Sequence, residues 1–152
     1  MHKNILLIED NPHKRKKITD FISQFDDSVE ISESESYTSG WQSLIGGSYS
    51  LVILDMSLPT YDVSEGESGG RFRTFGGKEL ARKMKRKGVP SNFFFVTQYE
   101  SFNDVNGTQT LDSIKNELKS EYGDRCLGVI HFDTSSKVWK EEFKIMLEKG
   151  LK

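Results

Sequence analysis

The chain has 152 residues, 35% hydrophobic and 29% charged, with a formal net charge of -2. That length suits one domain with a real hydrophobic core and is too short for two comfortable ones, and the composition excludes a disordered or membrane-embedded chain. No apolar run approaches the ~20 residues that span a bilayer, and the acidic balance argues against general nucleic-acid affinity, so neither membrane association nor direct nucleic-acid binding is expected.

In chain order, strands alternate with helices. Ile5, Leu6, Leu7 and Ile8 form a short buried run that ends in the adjacent acids Glu9 and Asp10. Asn11 then caps a helix with Pro12 in its first turn, where a missing amide hydrogen is tolerated. Ile18, Phe21, Ile22 and Phe25 follow at helical spacing and give that helix one apolar face. A weak strand at Val29 to Ser32 precedes a short helix carrying Trp41, Leu44 and Ile45, which Gly46 and Gly47 stop. Leu51, Val52, Ile53 and Leu54 are an unbroken aliphatic run, as in a strand buried on both faces, closed by Asp55 and then Pro59. After a long loop, Leu80, Ala81 and Met84 mark a third helix that ends near Gly88 and Pro90. Phe93 to Val96 form a fourth strand ending at Thr97. Leu111, Ile114 and Leu118 mark a fourth helix, Leu127 to Phe132 a fifth strand, and Trp139, Phe143, Met146 and Leu147 a last helix. The basic runs Lys14 to Lys17 and Arg82 to Lys87 lie on helices and read as solvated faces. The single cysteine, Cys126, cannot form an internal disulfide, and a reducing, cytoplasmic compartment follows.

Five strands alternating with five helices predict an α/β fold, a doubly wound five-stranded parallel sheet of order 2-1-3-4-5, whose order reverses between the first and third strands. Glu9, Asp10, Asp55 and Thr97 then share one crevice at the carboxyl ends of the strands. Like charges about 4 Å apart repel by roughly 1 to 4 kcal/mol. A cation relieves that repulsion, and carboxylates with carbonyls and water suit Mg²⁺ better than zinc, for which there is no His/Cys cluster.

The Glu9-Asp10 pair followed by Asn11-Pro12, the segment LVILDMSLP around Asp55, the run FFFVT ending at Thr97 and the segment GKEL at Gly77 to Leu80 together resemble the receiver domain of two-component response regulators. The resemblance implies a flavodoxin-like receiver fold over 1–152, as a single domain in phosphorelay signal transduction. It implies that Asp55 accepts a phosphoryl group, and that Glu9, Asp10, Asp55 and the backbone carbonyl of Ser57 hold Mg²⁺ (or Mn²⁺). Thr97 then hydrogen-bonds the phosphoryl group. The implied partners are a histidine kinase or phosphotransfer protein and a downstream protein, with a homodimer through the helix-four to helix-five face. No independent enzyme is expected, only self-phosphorylation and autodephosphorylation at Asp55.

The chain also departs from that pattern. The family's lysine at the end of the fifth strand aligns with Phe132, preceded by His131, which points to the opposite face and reads as a packed or hydrogen-bonded histidine. The aromatic often found three positions earlier is Val129. Gln98 and Tyr99 follow Thr97 where small residues are usual, and their bulk is expected to slow access to the site. The loop at 60–77 is far longer than an ordinary strand-to-helix connection; its five glycines mark a flexible insertion. Asp62, Glu65 and Glu67 on it would repel phosphate or recruit metal, while Arg71, Arg73 or Lys78, or Lys137 beyond the fifth strand, could replace the missing lysine. The segment at about 98–125 enlarges the region of helix four. The alternative reading is an atypical pseudo-receiver, an interaction module that does not depend on phosphorylation. A metal-dependent phosphohydrolase fits less well, because Ser57 stands where its second acid belongs.

Overall fold

A computed structural model describes residues 3–63, 69–104 and 107–151. Its centre is a five-stranded parallel sheet of β1 (Asn4–Ile8), β2 (Glu30–Ser34), β3 (Leu51–Leu54), β6 (Asn92–Thr97) and β9 (Cys126–His131), in the order β2-β1-β3-β6-β9. Two short hairpins supply the remaining strands, β4 (Leu58–Pro59) with β5 (Phe72–Arg73) and β7 (Ser101–Asp104) with β8 (Gly107–Thr110). Without the hairpins the order is the expected 2-1-3-4-5. Register pairs Ile8 with Leu54 and Leu54 with Phe95, so β1 and β3 finish level with one another and β6 runs two residues further, to Thr97.

Among the described residues, five α-helices cover the sheet: α1 (Pro12–Phe25), α2 (Tyr37–Gly46), α3 (Gly76–Arg86), α4 (Leu111–Tyr122) and α5 (Val138–Gly150). Alternate residues of each strand face opposite ways, and the core divides accordingly. Leu6, Ile8, Val52, Leu54, Phe93 and Phe95 pack with Leu44 of α2, Leu80 and Met84 of α3, and Ile114 and Leu118 of α4. Ile5, Leu7, Leu51, Ile53, Phe94 and Val96 pack with Ile18 and Ile22 of α1 and with Trp139, Phe143 and Leu147 of α5. Burial on both sides explains why the central strands are unbroken aliphatic or aromatic runs. No helix among the described residues is long and apolar enough to cross a membrane.

Three local expectations change. Ile45, read as part of the apolar face of α2, is 63% exposed, and Leu44 alone of that pair is buried. The insertion at 60–77 has a paired stem, in which β4 and β5 join Leu58 to Arg73 and Pro59 to Phe72. The ladder continues as the Thr60 and Tyr61 amides donate to the carbonyls of Arg71 (3.0 Å) and Gly69 (2.8 Å). Its Asp62 carboxylate accepts from the hydroxyls of Ser36 (2.6 Å) and Ser39 (2.7 Å) at the start of α2, whereas Glu65 and Glu67 lie outside the described residues. The enlargement before helix four is the β7–β8 hairpin, whose Phe102 is buried with its ring 5.7 Å from that of Phe75.

Candidate functional site

The carboxyl ends of β1 and β3 bring the predicted acids together. Glu9 and Asp10 leave β1, Asp55 leaves β3, and one carboxylate oxygen from each lies within 4.8 Å of the others. Glu9 and Asp55 are buried and Asp10 is half-buried. The turn after Asp55 is braced from α3. The Gly77 amide donates to the Met56 carbonyl (2.9 Å), and the Ser57 hydroxyl donates to the Thr74 carbonyl (2.7 Å). A Cβ at Gly77 would lie 1.9 Å from the Asp55 carbonyl oxygen, so this approach admits only glycine. Ser57 is buried two residues past Asp55, and Thr97 is buried at the end of β6, where its hydroxyl accepts from the Tyr99 amide (3.2 Å).

Among the described residues, the ammonium that reaches the Glu9 and Asp55 carboxylates is that of Lys14, on the first turn of α1. Asn11 caps that helix, accepting from the amides of His13 (3.0 Å) and Lys14 (3.1 Å), while the Asn11 amide donates to Glu9 (3.0 Å). The cap thereby fixes α1 against the acidic pair. Lys14 is 2% exposed. Its ammonium lies 2.5 Å from Glu9 Oε1 and 3.3 Å from Asp55 Oδ2, and donates to the Val96 carbonyl (2.8 Å). The reading of Lys14 to Lys17 as a wholly solvated face is therefore corrected at its first residue. The spacing carries a signal for this: Lys14 stands four residues before Ile18 and eight before Ile22, the buried residues of α1.

The other candidate cations sit elsewhere. Arg73 pairs with Glu79 (3.2 Å) and stacks over the Tyr37 ring (4.3 Å), and Lys78 pairs with Glu117 (2.6 Å). Arg71 and Lys137 are exposed. Phe132 is buried against the Trp139 ring, with the Lys14 ammonium 5.9 Å from its own ring centre. His131 donates from Nε2 to the Gln98 carbonyl (3.1 Å), as a hydrogen-bonded rather than phosphate-facing histidine.

Burial, reinforced by the charge of Asp55, pushes the Glu9 carboxyl up to about 8. Burial also raises Asp55, and the Lys14 charge beside it opposes that rise. For Lys14, burial works against the ammonium, but Asp55 and Glu9 outweigh it and the group is held protonated above its ordinary range. Three clustered carboxylates with neighbouring backbone carbonyls form an oxygen donor set that fits a hard divalent cation.

The doubly wound parallel sheet is a fold that this chain shares with solved response-regulator receiver domains. The chain matches the response regulator TrrA of Thermotoga maritima, solved in complex with Mg²⁺ and BeF, with a TM-score of 0.58 at 20% identity over 95% of this chain and 99% of that one. It matches the Mn²⁺-bound form of the response regulator Rcp1 with a TM-score of 0.65 at 14% identity, over 99% and 95% of the two chains. In sequence it is 29% identical over 140 residues to the Detocs response regulatory protein DtcB of Enterobacter cloacae (strain JD6301), covering 91% of this chain and 93% of that protein. No family model matches the sequence.

Proposed function

We propose that this chain is a phosphoacceptor receiver of two-component signalling, in which Asp55 takes a phosphoryl group from a histidine kinase or phosphotransfer protein and a downstream protein reads the result. The observation that carries this reading is the convergence of Glu9, Asp10 and Asp55 within 4.8 Å at the reversal of strand order. The likeness to DtcB, a response regulatory protein by name, points the same way.

Glu9, Asp10, Asp55 and the Ser57 backbone carbonyl would hold Mg²⁺ or Mn²⁺. When bound, the ion offsets charge on the phosphoryl oxygens and favours ionised Asp55. An Asp55 carboxylate oxygen forms the new bond to phosphorus as the bond between phosphorus and the donor breaks, and the leaving group departs with that electron pair. The buried Thr97 hydroxyl exchanges its bond from the Tyr99 amide for one to the phosphoryl group, which carries the change towards the β7–β8 hairpin. The surface of α4 and α5 is the natural place for a partner or a second copy.

The test is intact mass after incubation with acetyl phosphate or phosphoramidate, with and without Mg²⁺, for the wild type and Asp55→Asn. A Mg²⁺-dependent gain of one phosphoryl group, lost in the variant, is expected. No adduct in the wild type, together with no binding of beryllofluoride, sinks the proposal and leaves the fold as a docking surface independent of phosphorylation.

A further inference from the structure

We infer that Lys14 is the residue whose positive charge receives the phosphoryl group on Asp55, delivered from α1 in place of the lysine that the fifth strand lacks at Phe132. This rests on the receiver reading above and adds to it the residue that completes the site. Three observations carry it. The Lys14 side chain is 1% exposed, yet its ammonium lies in the acid crevice with Glu9 Oε1 at 2.5 Å and Asp55 Oδ2 at 3.3 Å. It is aimed by a third contact, to the carbonyl of Val96 at 2.8 Å, immediately before Thr97. The aromatic ring of Phe132 occupies the end of the fifth strand on the same face of the sheet and lies beside that ammonium.

The exchange conserves charge. A receiver crevice without a fixed cation would gather the phosphoryl charge, about -1.5 to -2, onto a site that is already acidic. Phe132 cannot offset it. Arg73 and Lys78 already pair with Glu79 and Glu117. Lys14 reaches Asp55 without rearrangement of the chain. During transfer it neither gains nor loses a proton. Its ammonium passes from Asp55 Oδ2 to a phosphoryl oxygen as the new bond between Asp55 and phosphorus forms and the donor's bond to phosphorus breaks. The ammonium also shares two of the carboxylates that would hold the divalent ion, so it opposes metal binding and favours the phosphoryl group. That opposition of effects separates this role from a purely structural one.

The experiment compares wild type, Lys14→Met, Lys14→Gln and the double variant Lys14→Met/Phe132→Lys. Each is titrated with Mg²⁺ alone, then with beryllofluoride in saturating Mg²⁺, and assayed for yield and lifetime of the acetyl phosphate adduct by intact mass. Lys14→Met is expected to bind Mg²⁺ at least as tightly as the wild type while losing about tenfold to a hundredfold in beryllofluoride affinity, as loss of a charge-assisted contact predicts. Phe132→Lys in that background restores part of the loss. If Lys14→Met does not fold by circular dichroism, Lys14→Gln carries the same comparison. Wild-type beryllofluoride affinity and adduct yield in a folded Lys14 variant overturn the assignment while leaving the receiver reading intact. So does a proportional loss of Mg²⁺ and beryllofluoride binding. A wild type that takes neither probe overturns both.

Discussion

An ammonium group as deeply buried as that of Lys14 is costly unless carboxylates and carbonyls attend it, and here all three of its near contacts are acceptors. The same burial acts on Glu9, and its sign sets a pH dependence. The fold raises Glu9 from 4.5 to about 8, so the folded state holds this proton more tightly than the unfolded chain does. The contribution is complete below about pH 4.5 and is lost as pH rises through about 8. Asp55 is shifted in the same direction, and the raised Lys14 stays charged across this window in both states. Metal-free protein should therefore lose urea stability between pH 5 and pH 8, with a slope that shrinks in Glu9→Gln. Mg²⁺ should bind more tightly as pH rises over the same range, since the ion competes with that proton. A flat profile with an unchanged Glu9→Gln slope would show that Glu9 is ionised throughout.

At the scale of the element, the first turn of α3 is what holds the Asp55 turn in place. Gly76 and Gly77 are both buried there, and the room at Gly77 is already taken by the backbone of Asp55. Gly77→Ala should cost about 1–3 kcal/mol or more in urea unfolding, because the obstruction is main chain and cannot rotate aside. It should also weaken Mg²⁺ binding by moving Asp55. Gly46→Ala, at the end of α2 with nothing within 4 Å of the added carbon, should instead be neutral or stabilising by up to about 1 kcal/mol. Equal effects at the two positions would contradict the close approach at Gly77. The far end of α3 closes with Gly88 at φ +71°, while the Gly88 and Val89 amides donate to Lys85 and Met84. That is a Schellman stop, which the expected end near Gly88 and Pro90 reflects. Hairpins were less legible. β4 and β5 are two residues each, too short for any alternation to register, and their partners lie across a glycine-rich stretch that reads locally as plain loop.

For the molecule as a whole, stability resides in two apolar layers on either side of the sheet. Phe143 joins the α1, α5 and sheet components of one layer through rings of Phe21 (5.5 Å), Phe94 (5.2 Å) and Trp139 (6.1 Å). Phe143→Ala should cost about 3–5 kcal/mol in the urea midpoint analysis; a loss under about 1 kcal/mol would mean that this layer is loosely packed. The alternation of strands and helices, the parallel order, and the meeting of Glu9, Asp10 and Asp55 were all determined by the sequence itself. Buried strands announce themselves as unbroken apolar runs, and a right-handed crossover leaves little choice of where their ends fall. Which cation meets those acids was decided only by the tertiary structure. Lys14 and Val96 are 82 positions apart, and a basic residue at the start of an amphipathic helix has the same local signature whether it points to water or inward. Arg73 and Lys78, on and just after the loop that follows Asp55, pair with carboxylates of their own. The charge came instead from α1, because the Asn11 cap sets its first turn over the crevice, and a lysine side chain is long enough to reach across the ends of three strands.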